Sequence, residues 1–264
     1  MSAILFDLDG VIYESDSEIA GASATVKWFS QQNIPHLFLT NTTSKSRTEL
    51  VAKLARFDIS TVENEFLTPP VAACQWLRSH GLNNVALFTP ETTKAEFADF
   101  NILTDTDIVE HTCSIDAVIV GDLGEGWTFG ILNKIFRILV HNPQSTLIAL
   151  GMTRYWKTDT GLQLDVGPMV KALEFATDRR ATVTGKPSLE FFEAATGLLG
   201  ENDDVVMIGD DIRGDIKASQ QAGLKAIQVR TGKFSEDDLS LGIIPDAVLD
   251  SIKQLPQWWQ QNMT

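Results

Sequence analysis

The alternation of short apolar runs with helical patterns constrains the fold of this chain more than any other feature. The runs are rich in Val, Ile, Leu or Phe and end in turn residues: AILF, HLFLTN, NVALFT, DAVIVGD, TLIALG, ATVTG, DVVMIGD and KAIQVRTG. Helical patterns lie between them, and residues 127–141 repeat apolar side chains at a spacing of 3.6 residues. A second helix is predicted after HLFLTN, with Ser44 as its N-cap. Strand–helix alternation predicts an α/β fold with parallel sheets covered by helices.

Length and composition exclude several classes of protein. The chain has 264 residues, of which 44% are hydrophobic and 21% charged, and its net charge is −14. Such a negative charge argues against nucleic-acid binding, which needs a basic face. No apolar run approaches the roughly 18 residues that span a bilayer, so no membrane partner is expected. The sequence shows no secretory signal, and its two cysteines form no CxxC pair, so we expect a cytoplasmic location.

Polar residues cluster where predicted strands end. They fall at positions 7–9, 40–42, 186 and 210–215. In open α/β sheets, ligands bind at the carboxyl ends of the strands. The middle of the chain lacks such groups but has its own strands and helices. We therefore predict a core formed by residues 1–75 and 180–264, and a second domain, residues 76–179, inserted into it.

Closely spaced aspartates predict a site with a divalent cation. Asp7 and Asp9 follow an apolar run, precede Gly10, and point the same way if the strand continues. Asp210, Asp211 and Asp215 follow another apolar run. Capping of turns and helices explains any one of these aspartates. Five carboxylates near one edge repel each other unless a hard cation neutralises them, and Mg²⁺ is the usual choice where phosphates are handled.

Two further groups are suited to an anion. Thr40, Asn41 and Thr42 end one apolar run and precede a helix, where hydroxyl, amide and backbone donors converge. Lys186 follows another run and offers a point charge for a phosphate. Helix capping is the alternative for the first group, and an ordinary surface lysine is the alternative for Lys186.

The order of these motifs resembles a known family. DxDG, then LTN, then GKP, then GDDxxxD is similar to the haloacid dehalogenase superfamily of phosphohydrolases. The long segment between the second and third motifs resembles the α/β cap of its type IIA branch. The resemblance implies a Rossmann-like core with an inserted cap, and a Mg²⁺-dependent phosphatase acting on a small phosphorylated metabolite.

The resemblance also implies a role for each residue. Asp7 would attack phosphorus to form an aspartyl-phosphate, and Asp9 would act as general acid and then general base. Mg²⁺ would bind the Asp7 carboxylate, the backbone carbonyl of Asp9, and Asp210. The other expected roles are phosphoryl binding by Thr40, Asn41, Thr42 and Lys186, and orientation of Lys186 or of metal-bound water by Asp211 and Asp215.

Residues 151–168 are expected to select the substrate. The segment is predicted to be a long irregular stretch, and such stretches in compact domains tend to be functional. It offers cationic and aromatic contacts from Arg154, Tyr155, Trp156 and Lys157. The alternative is a hairpin whose aromatic side chains pack on the cap.

Other interpretations of the sequence stay open. One alternative is a phosphotransfer signalling receiver, which uses a similar acidic cluster but needs only about half this length. The phosphoacceptor of a receiver follows a strand in the middle of its sequence, whereas Asp7 follows the first strand. A binding protein that has lost turnover and a phosphomutase are further alternatives, while dehalogenation is disfavoured because that branch lacks the second aspartate. Trp258 and Trp259 are predicted to dock a terminal helix, with a homodimer patch as the alternative.

Overall fold

The computed structural model describes residues 2–104, 106, 114–158, 161–202 and 204–263, with only the backbone for residues 156–158 and 239. Within that part of the chain, no helix is both long enough and apolar enough to cross a lipid bilayer. Cys113, one of the two cysteines, lies outside the described residues. Backbone contacts divide the chain into two compact units: Met1–Thr40, Arg47–Thr68 and Lys186–Thr264 form the first, and Asn41–Ser46 and Pro69–Gly185 form the second.

The strands in chain order are β1 Ser2–Asp7, β2 Tyr13–Glu14, β3 Ser17–Glu18, β4 His36–Leu39, β5 Phe66–Leu67, β6 Asn84–Phe88, β7 Asn101–Ile102, β8 Ala117–Val120, β9 Thr146–Ala149, β10 Tyr155–Thr158, β11 Gly161–Leu164, β12 Thr182–Val183, β13 Asp204–Gly209, β14 Lys225–Val229 and β15 Ala247–Leu249. The α-helices are α1 Ala22–Gln31, α2 Arg47–Ala55, α3 Pro69–Ser79, α4 Glu91–Lys94, α5 Phe129–His141, α6 Val166–Thr177, α7 Leu189–Leu199, α8 Ala218–Gln221 and α9 Leu255–Asn262. Each predicted apolar run contains an observed strand, which confirms the strand predictions.

The first unit is built on a six-stranded parallel sheet in the order β15-β14-β13-β1-β4-β5. Strand β1 lies in the middle, with Ile4 opposite Val206 of β13 on one side and opposite His36 of β4 on the other. All of β1 except its first residue is buried, as expected for a parallel strand covered on both faces. The carboxyl end of β1 therefore lies at the centre of the edge where polar residues were predicted to meet.

The carboxyl-terminal helix packs on the core of the first unit. Trp259 of α9 is buried and meets Phe29 of α1 edge to face, with ring centroids 4.9 Å apart. Phe29 in turn meets Phe6 of β1 at 5.3 Å. Trp258 packs against the same apolar cluster and is partly buried. These contacts confirm the predicted docking of a terminal helix, and the homodimer stays a prediction.

The second unit has its own five-stranded parallel sheet, in the order β12-β9-β8-β6-β7. Helix α5 begins after Thr128, whose hydroxyl accepts a hydrogen bond from Ile131 N at 3.2 Å, and it buries Ile135 and Leu139 of the predicted apolar face. The chain passes from β6 to β7 on one side and returns to β8 on the other. The two units divide after residues 68 and 185, whereas the predicted domain limits were 75 and 179. The assignment of core and inserted cap stays a prediction.

The predicted N-cap at Ser44 is wrong, because α2 begins only at Arg47. Residues 41–46 instead form hydrogen bonds within the second unit. Thr93 Oγ1 donates to the carbonyl of Thr43 at 2.6 Å, and Thr92 Oγ1 donates to the carbonyl of Ser44 at 3.4 Å. These tertiary contacts hold the backbone at Ser44 outside the helix.

The prediction of an irregular stretch over residues 151–168 is also wrong. Strands β10 and β11 pair antiparallel, with Tyr155 opposite Leu164. The hairpin alternative is therefore correct for the backbone, because pairing satisfies the main-chain donors and acceptors of both strands. Its aromatic packing is not seen at Tyr155, which is 56% exposed. The side chains of Trp156 and Lys157 lie outside the described part of the chain.

Candidate active site

Asp7 is the last residue of β1 and is buried at the centre of the sheet edge. It lies opposite Leu39 of β4. A carboxylate at this position is costly unless cations or donors compensate for the lost water. The neighbouring strand ends supply such groups.

The end of β13 brings two aspartates to the same edge. Asp210 follows Gly209, the last residue of β13, and both it and Asp215 are about 1% exposed. A Cβ at Gly209 would come within 2.6 Å of Cγ of Asp215, so only glycine allows this approach. Between them, Asp211 caps the turn of residues 212–217, accepting hydrogen bonds from Arg213 N at 3.0 Å and from the following amide at 2.8 Å.

Lys186 links the two strand ends. Its buried Nζ donates to Oδ1 of Asp7 at 2.6 Å and to Oδ1 of Asp215 at 2.7 Å. Oδ2 of Asp215 accepts from Asp211 N at 3.2 Å, so both oxygens of Asp215 are occupied by donors. An arrangement of this kind excludes the surface-lysine alternative for Lys186.

Three buried carboxylates surround the buried ammonium of Lys186, and the ammonium of Lys233 near Asp210 is largely exposed. The pKa values reflect this excess of negative charge. Burial raises the pKa of Asp7 well above its usual value, and repulsion from Asp215 adds to the increase, against the opposing effect of Lys186. Burial also raises the pKa of Asp210 to about 6. Burial lowers the pKa of Lys186, but attraction by Asp215 and Asp7 outweighs it, so the net shift is upward. The site therefore favours binding of an additional cation or proton.

The donor set fits a hard divalent cation. Carboxylate oxygens of Asp7, Asp210 and Asp215 all lie within 4.8 Å of one another. Oδ1 of Asp210 is buried and has no hydrogen-bond partner among the described residues. A buried carboxylate oxygen without a donor is expensive, and a cation with oxygen ligands removes that cost. This geometry supports the prediction of a cation site formed by aspartates.

Asp9 lies outside that cluster. Strand β1 ends at Asp7, and the backbone then turns: the amides of Ile12 and Tyr13 donate to the carbonyl of Leu8 at 2.9 and 3.2 Å. Asp9 is exposed, whereas Asp7 is buried. The strand does not continue to Asp9, so the condition under which both carboxylates would point the same way is not met. The turn instead gives the two aspartates different surroundings.

A loop after β14 also reaches this site, and the sequence motifs did not reveal it. Thr231 Oγ1 donates to the carbonyl of Gly10 at 2.5 Å, and Lys233 N donates to Oδ2 of Asp210 at 2.7 Å. Gly10 and Gly232 both have positive φ, +82° and +61°. The pattern TGK carried a weak signal, a glycine shortly after the end of β14, and by itself it indicates no more than a turn.

The predicted phosphate-binding residues fall in both units. Thr40 is buried directly after β4, and its amide donates to the carbonyl of Leu67 at 3.2 Å. Asn41 and Thr42 follow it in the chain but belong to the second unit. There, a Cβ at Gly185 would lie 3.1 Å from Oδ1 of Asn41. Thr42 Oγ1 and Ser44 Oγ are 3.3 Å apart.

The second unit contains an open cavity of about 230 Å³. Its lining residues are Asn41, Thr42, Thr43, Ser44, Asp122, Gly151, Thr153, Asp165 and Val166. Two are carboxylates and none is a cation. Arg154 and Tyr155, predicted to contact substrate, are exposed and are not among the described lining residues. Burial raises the pKa of Asp165, whose Oδ1 accepts a hydrogen bond from Val166 N at 2.6 Å.

Comparison with known proteins identifies the family. A model described as haloacid dehalogenase-like hydrolase matches residues 4–102, and one described as HAD-hydrolase-like matches residues 183–255. The human phospholysine phosphohistidine inorganic pyrophosphate phosphatase is 39% identical over 240 residues, covering 89% of this chain and 85% of that protein. The haloacid dehalogenase-like hydrolase domain-containing protein 2 of Bos taurus is 35% identical over 239 residues, covering 90% and 87%.

A solved structure agrees with these matches. The p-nitrophenyl phosphatase from Archaeoglobus fulgidus superimposes with a TM-score of 0.85 at 26% identity, covering 97% of this chain and 98% of that one. The matches to hydrolase family models and to named phosphatases define this chain as a hydrolase. This chain belongs to the haloacid dehalogenase-like hydrolase family.

Proposed function

We propose that this protein is a Mg²⁺-dependent phosphatase that hydrolyses a small phosphorylated metabolite through an aspartyl-phosphate on Asp7. The observation that carries the proposal is the buried contact of Lys186 with Asp7 and Asp215, next to an Asp210 oxygen without a donor. Such a site combines a nucleophile, a fixed positive charge and a place for a cation. Phosphoryl transfer requires these same components.

In the first half-reaction, a carboxylate oxygen of Asp7 attacks phosphorus in line with the bond to the leaving oxygen. The new bond is an acyl-phosphate, and the bond to the leaving group breaks. Asp9 donates a proton to the departing oxygen. Its exposure, in contrast to buried Asp7, supports a group that exchanges protons with solvent during turnover.

In the second half-reaction, water attacks the phosphorus of the acyl-phosphate. Asp9, now ionised, accepts a proton from that water, and the bond between phosphorus and the Asp7 oxygen breaks. Inorganic phosphate leaves, and both aspartates return to their starting protonation states. In each cycle Asp9 therefore gives one proton to the leaving group and regains one from water.

The remaining polar residues are proposed to hold the phosphoryl group. Lys186 compensates its charge, and the hydroxyl, amide and backbone donors of Thr40, Asn41 and Thr42 bind its oxygens. Asp215 orients Lys186, as its 2.7 Å hydrogen bond supports. Asp211 stabilises the turn that carries Asp215 and helps to orient metal-bound water.

Mg²⁺ would be held by the Asp7 carboxylate, the Asp9 carbonyl and Oδ1 of Asp210. When bound, it reduces repulsion between Asp7 and the anionic substrate and neutralises charge in the transition state. Asp215 is a weaker candidate ligand, because both of its oxygens already accept hydrogen bonds.

The names of the relatives indicate which substrates to test first. The relatives are named for phospholysine, phosphohistidine, inorganic pyrophosphate and p-nitrophenyl phosphate, so small phosphorylated compounds are the first class to test. The type IIA cap, residues 76–179 in the predicted assignment, would select among them. We also propose a cytoplasmic location and leave the homodimer as a hypothesis to be tested by sedimentation.

The direct test is turnover of p-nitrophenyl phosphate by the purified protein with MgCl₂, followed by a screen of phosphorylated metabolites. Catalytic release of p-nitrophenol over many turnovers supports a phosphatase. A single turnover with stable phosphorylation would instead support a receiver, and binding without release would support a non-catalytic phosphate-binding protein.

Replacing Arg154 tests the hairpin as a specificity element. If Arg154 and Lys157 contact substrate, Arg154→Ala changes kcat/KM unequally across the metabolites found in the screen and barely changes it for p-nitrophenyl phosphate. Arg180→Ala, at another exposed arginine of the second unit, is the control. An equal loss on every substrate would make the hairpin a structural element only.

Replacing Asp165 tests the cavity of the second unit. Its two carboxylates and lack of a described lining cation favour binding of an ammonium group. Asp165→Asn keeps the N-cap of α6 but removes the charge. We expect the affinity for ethanolamine, measured by calorimetry, to fall about tenfold, the loss of one charge-assisted hydrogen bond. Asp178→Asn, at the exposed other end of α6, is the control and should leave this affinity unchanged. Equal affinities in the wild-type protein and in Asp165→Asn would contradict the assignment.

A further inference from the structure

The segment Thr231–Lys233 surrounds one face of the Asp210 carboxylate, although it lies outside the four sequence motifs. Lys233 N donates to Oδ2 of Asp210 at 2.7 Å. The other oxygen, Oδ1, is buried and has no hydrogen-bond partner among the described residues. One oxygen is therefore fixed by the backbone, and the other is left to bind something else.

Two glycines make this approach sterically feasible. A Cβ at Gly232 would lie 2.5 Å from Cα of Gly10 and closer still to Oδ2 of Asp210. A Cβ at Gly10 would lie 2.5 Å from Cγ of Asp210. Both residues also have positive φ, which favours glycine. No larger side chain fits between the two backbones and the carboxylate.

A further hydrogen bond ties the two backbones together. Thr231 Oγ1 donates to the carbonyl of Gly10 at 2.5 Å, across 221 positions of sequence. Gly10 directly follows Asp9, whose carbonyl is a proposed metal ligand. The same segment is thus joined to both sides of the proposed cation site, through Asp210 and through Gly10.

We propose that Thr231–Lys233 is a positioning element for the metal site: it fixes the Asp210 carboxylate with Oδ2 occupied and Oδ1 presented to Mg²⁺, and it holds the backbone at Gly10. This inference rests on the proposed Mg²⁺ site. Groups that orient metal ligands typically contribute about 10–100-fold to metal affinity, so the segment should affect Mg²⁺ binding without contacting substrate.

The test is titration of the full-length protein with Mg²⁺ alone, by calorimetry and by the increase in Tm that Mg²⁺ produces. Gly232→Ala should weaken Mg²⁺ binding by at least about tenfold. Gly223→Ala is the matched control: Gly223 also flanks β14 and also has positive φ, +81°, but a Cβ there meets nothing within 4 Å. It shares the backbone strain and should leave Mg²⁺ affinity within about twofold.

Variants of Thr231 keep the test decisive if Gly232→Ala does not fold. Thr231→Val removes the hydroxyl donor at nearly constant size and should weaken Mg²⁺ binding, while Thr231→Ser should restore it. Wild-type affinity in both Gly232→Ala and Thr231→Val, or equal weakening in Gly223→Ala, would overturn the inference. If wild-type protein binds Mg²⁺ no better than Asp210→Asn does, the proposed metal site itself fails, and the inference fails with it.

Discussion

Asp7→Asn is expected to lose essentially all turnover while remaining folded. The carboxamide keeps the size of the side chain but removes the charge that attacks phosphorus. We expect kcat to fall by more than about a hundredfold, which corresponds to roughly 2.7 kcal/mol of activation free energy. Because burial already raises the pKa of Asp7, a neutral side chain suits this position and should not unfold the protein.

The measurement is kcat with p-nitrophenyl phosphate at saturating Mg²⁺, together with Tm and circular dichroism. Asp16→Asn is the matched control, since Asp16 is an exposed aspartate of the same unit. It should retain wild-type activity. If Asp7→Asn keeps more than about a hundredth of wild-type kcat, Asp7 is not the nucleophile.

Removal of metal is the second large effect. Treatment with EDTA should abolish activity, and Mg²⁺ should restore it, because three buried carboxylates otherwise repel an anionic substrate. Ca²⁺ should inhibit, since its larger and looser coordination shell misplaces the nucleophile. The measurement is the rate as a function of each cation after chelation.

Asp210→Asn provides the corresponding variant. This variant should need a much higher Mg²⁺ concentration for half-maximal activity. The increase should be smaller for Asp211→Asn, because Oδ1 of Asp211 accepts hydrogen bonds from backbone amides of the following turn. Full activity in a metal-free preparation would contradict the metal assignment.

Much of the fold follows from local sequence patterns. Parallel strands buried on both faces are nearly continuous apolar runs, so β1 and β13 are recognisable without tertiary information. The meeting of Asp7 and Asp210 was also predictable, because the carboxyl ends of the neighbouring parallel strands β1 and β13 share one edge. Lys186 follows β12, which belongs to the other sheet, so strand order alone does not place its side chain beside Asp7. Gly10, with φ +82°, marks the turn that ends the first motif.

Other parts of the site depend on contacts between distant residues. The approach of Gly232 to Gly10 joins positions more than 200 residues apart, and TGK alone indicates only a turn. The N-cap prediction at Ser44 was wrong for a similar reason. Thr92 and Thr93 donate hydrogen bonds to the backbone carbonyls of Ser44 and Thr43, about 50 residues away in the chain. In the hairpin, YWKT and GLQL alternate too weakly to distinguish paired strands from a loop.

Trapping of the covalent intermediate tests the central claim most directly. Asp9→Asn should slow hydrolysis of the acyl-phosphate, while p-nitrophenolate leaves without needing a proton. Rapid mixing of this variant with p-nitrophenyl phosphate and Mg²⁺, followed by borohydride reduction and peptide mass spectrometry, should reveal homoserine at position 7. The homoserine signal should require both substrate and Mg²⁺. It should be absent from the double variant that carries Asp7→Asn together with Asp9→Asn. Unmodified Asp7 during a burst of p-nitrophenol, or a phosphoryl group on another residue, would contradict the mechanism.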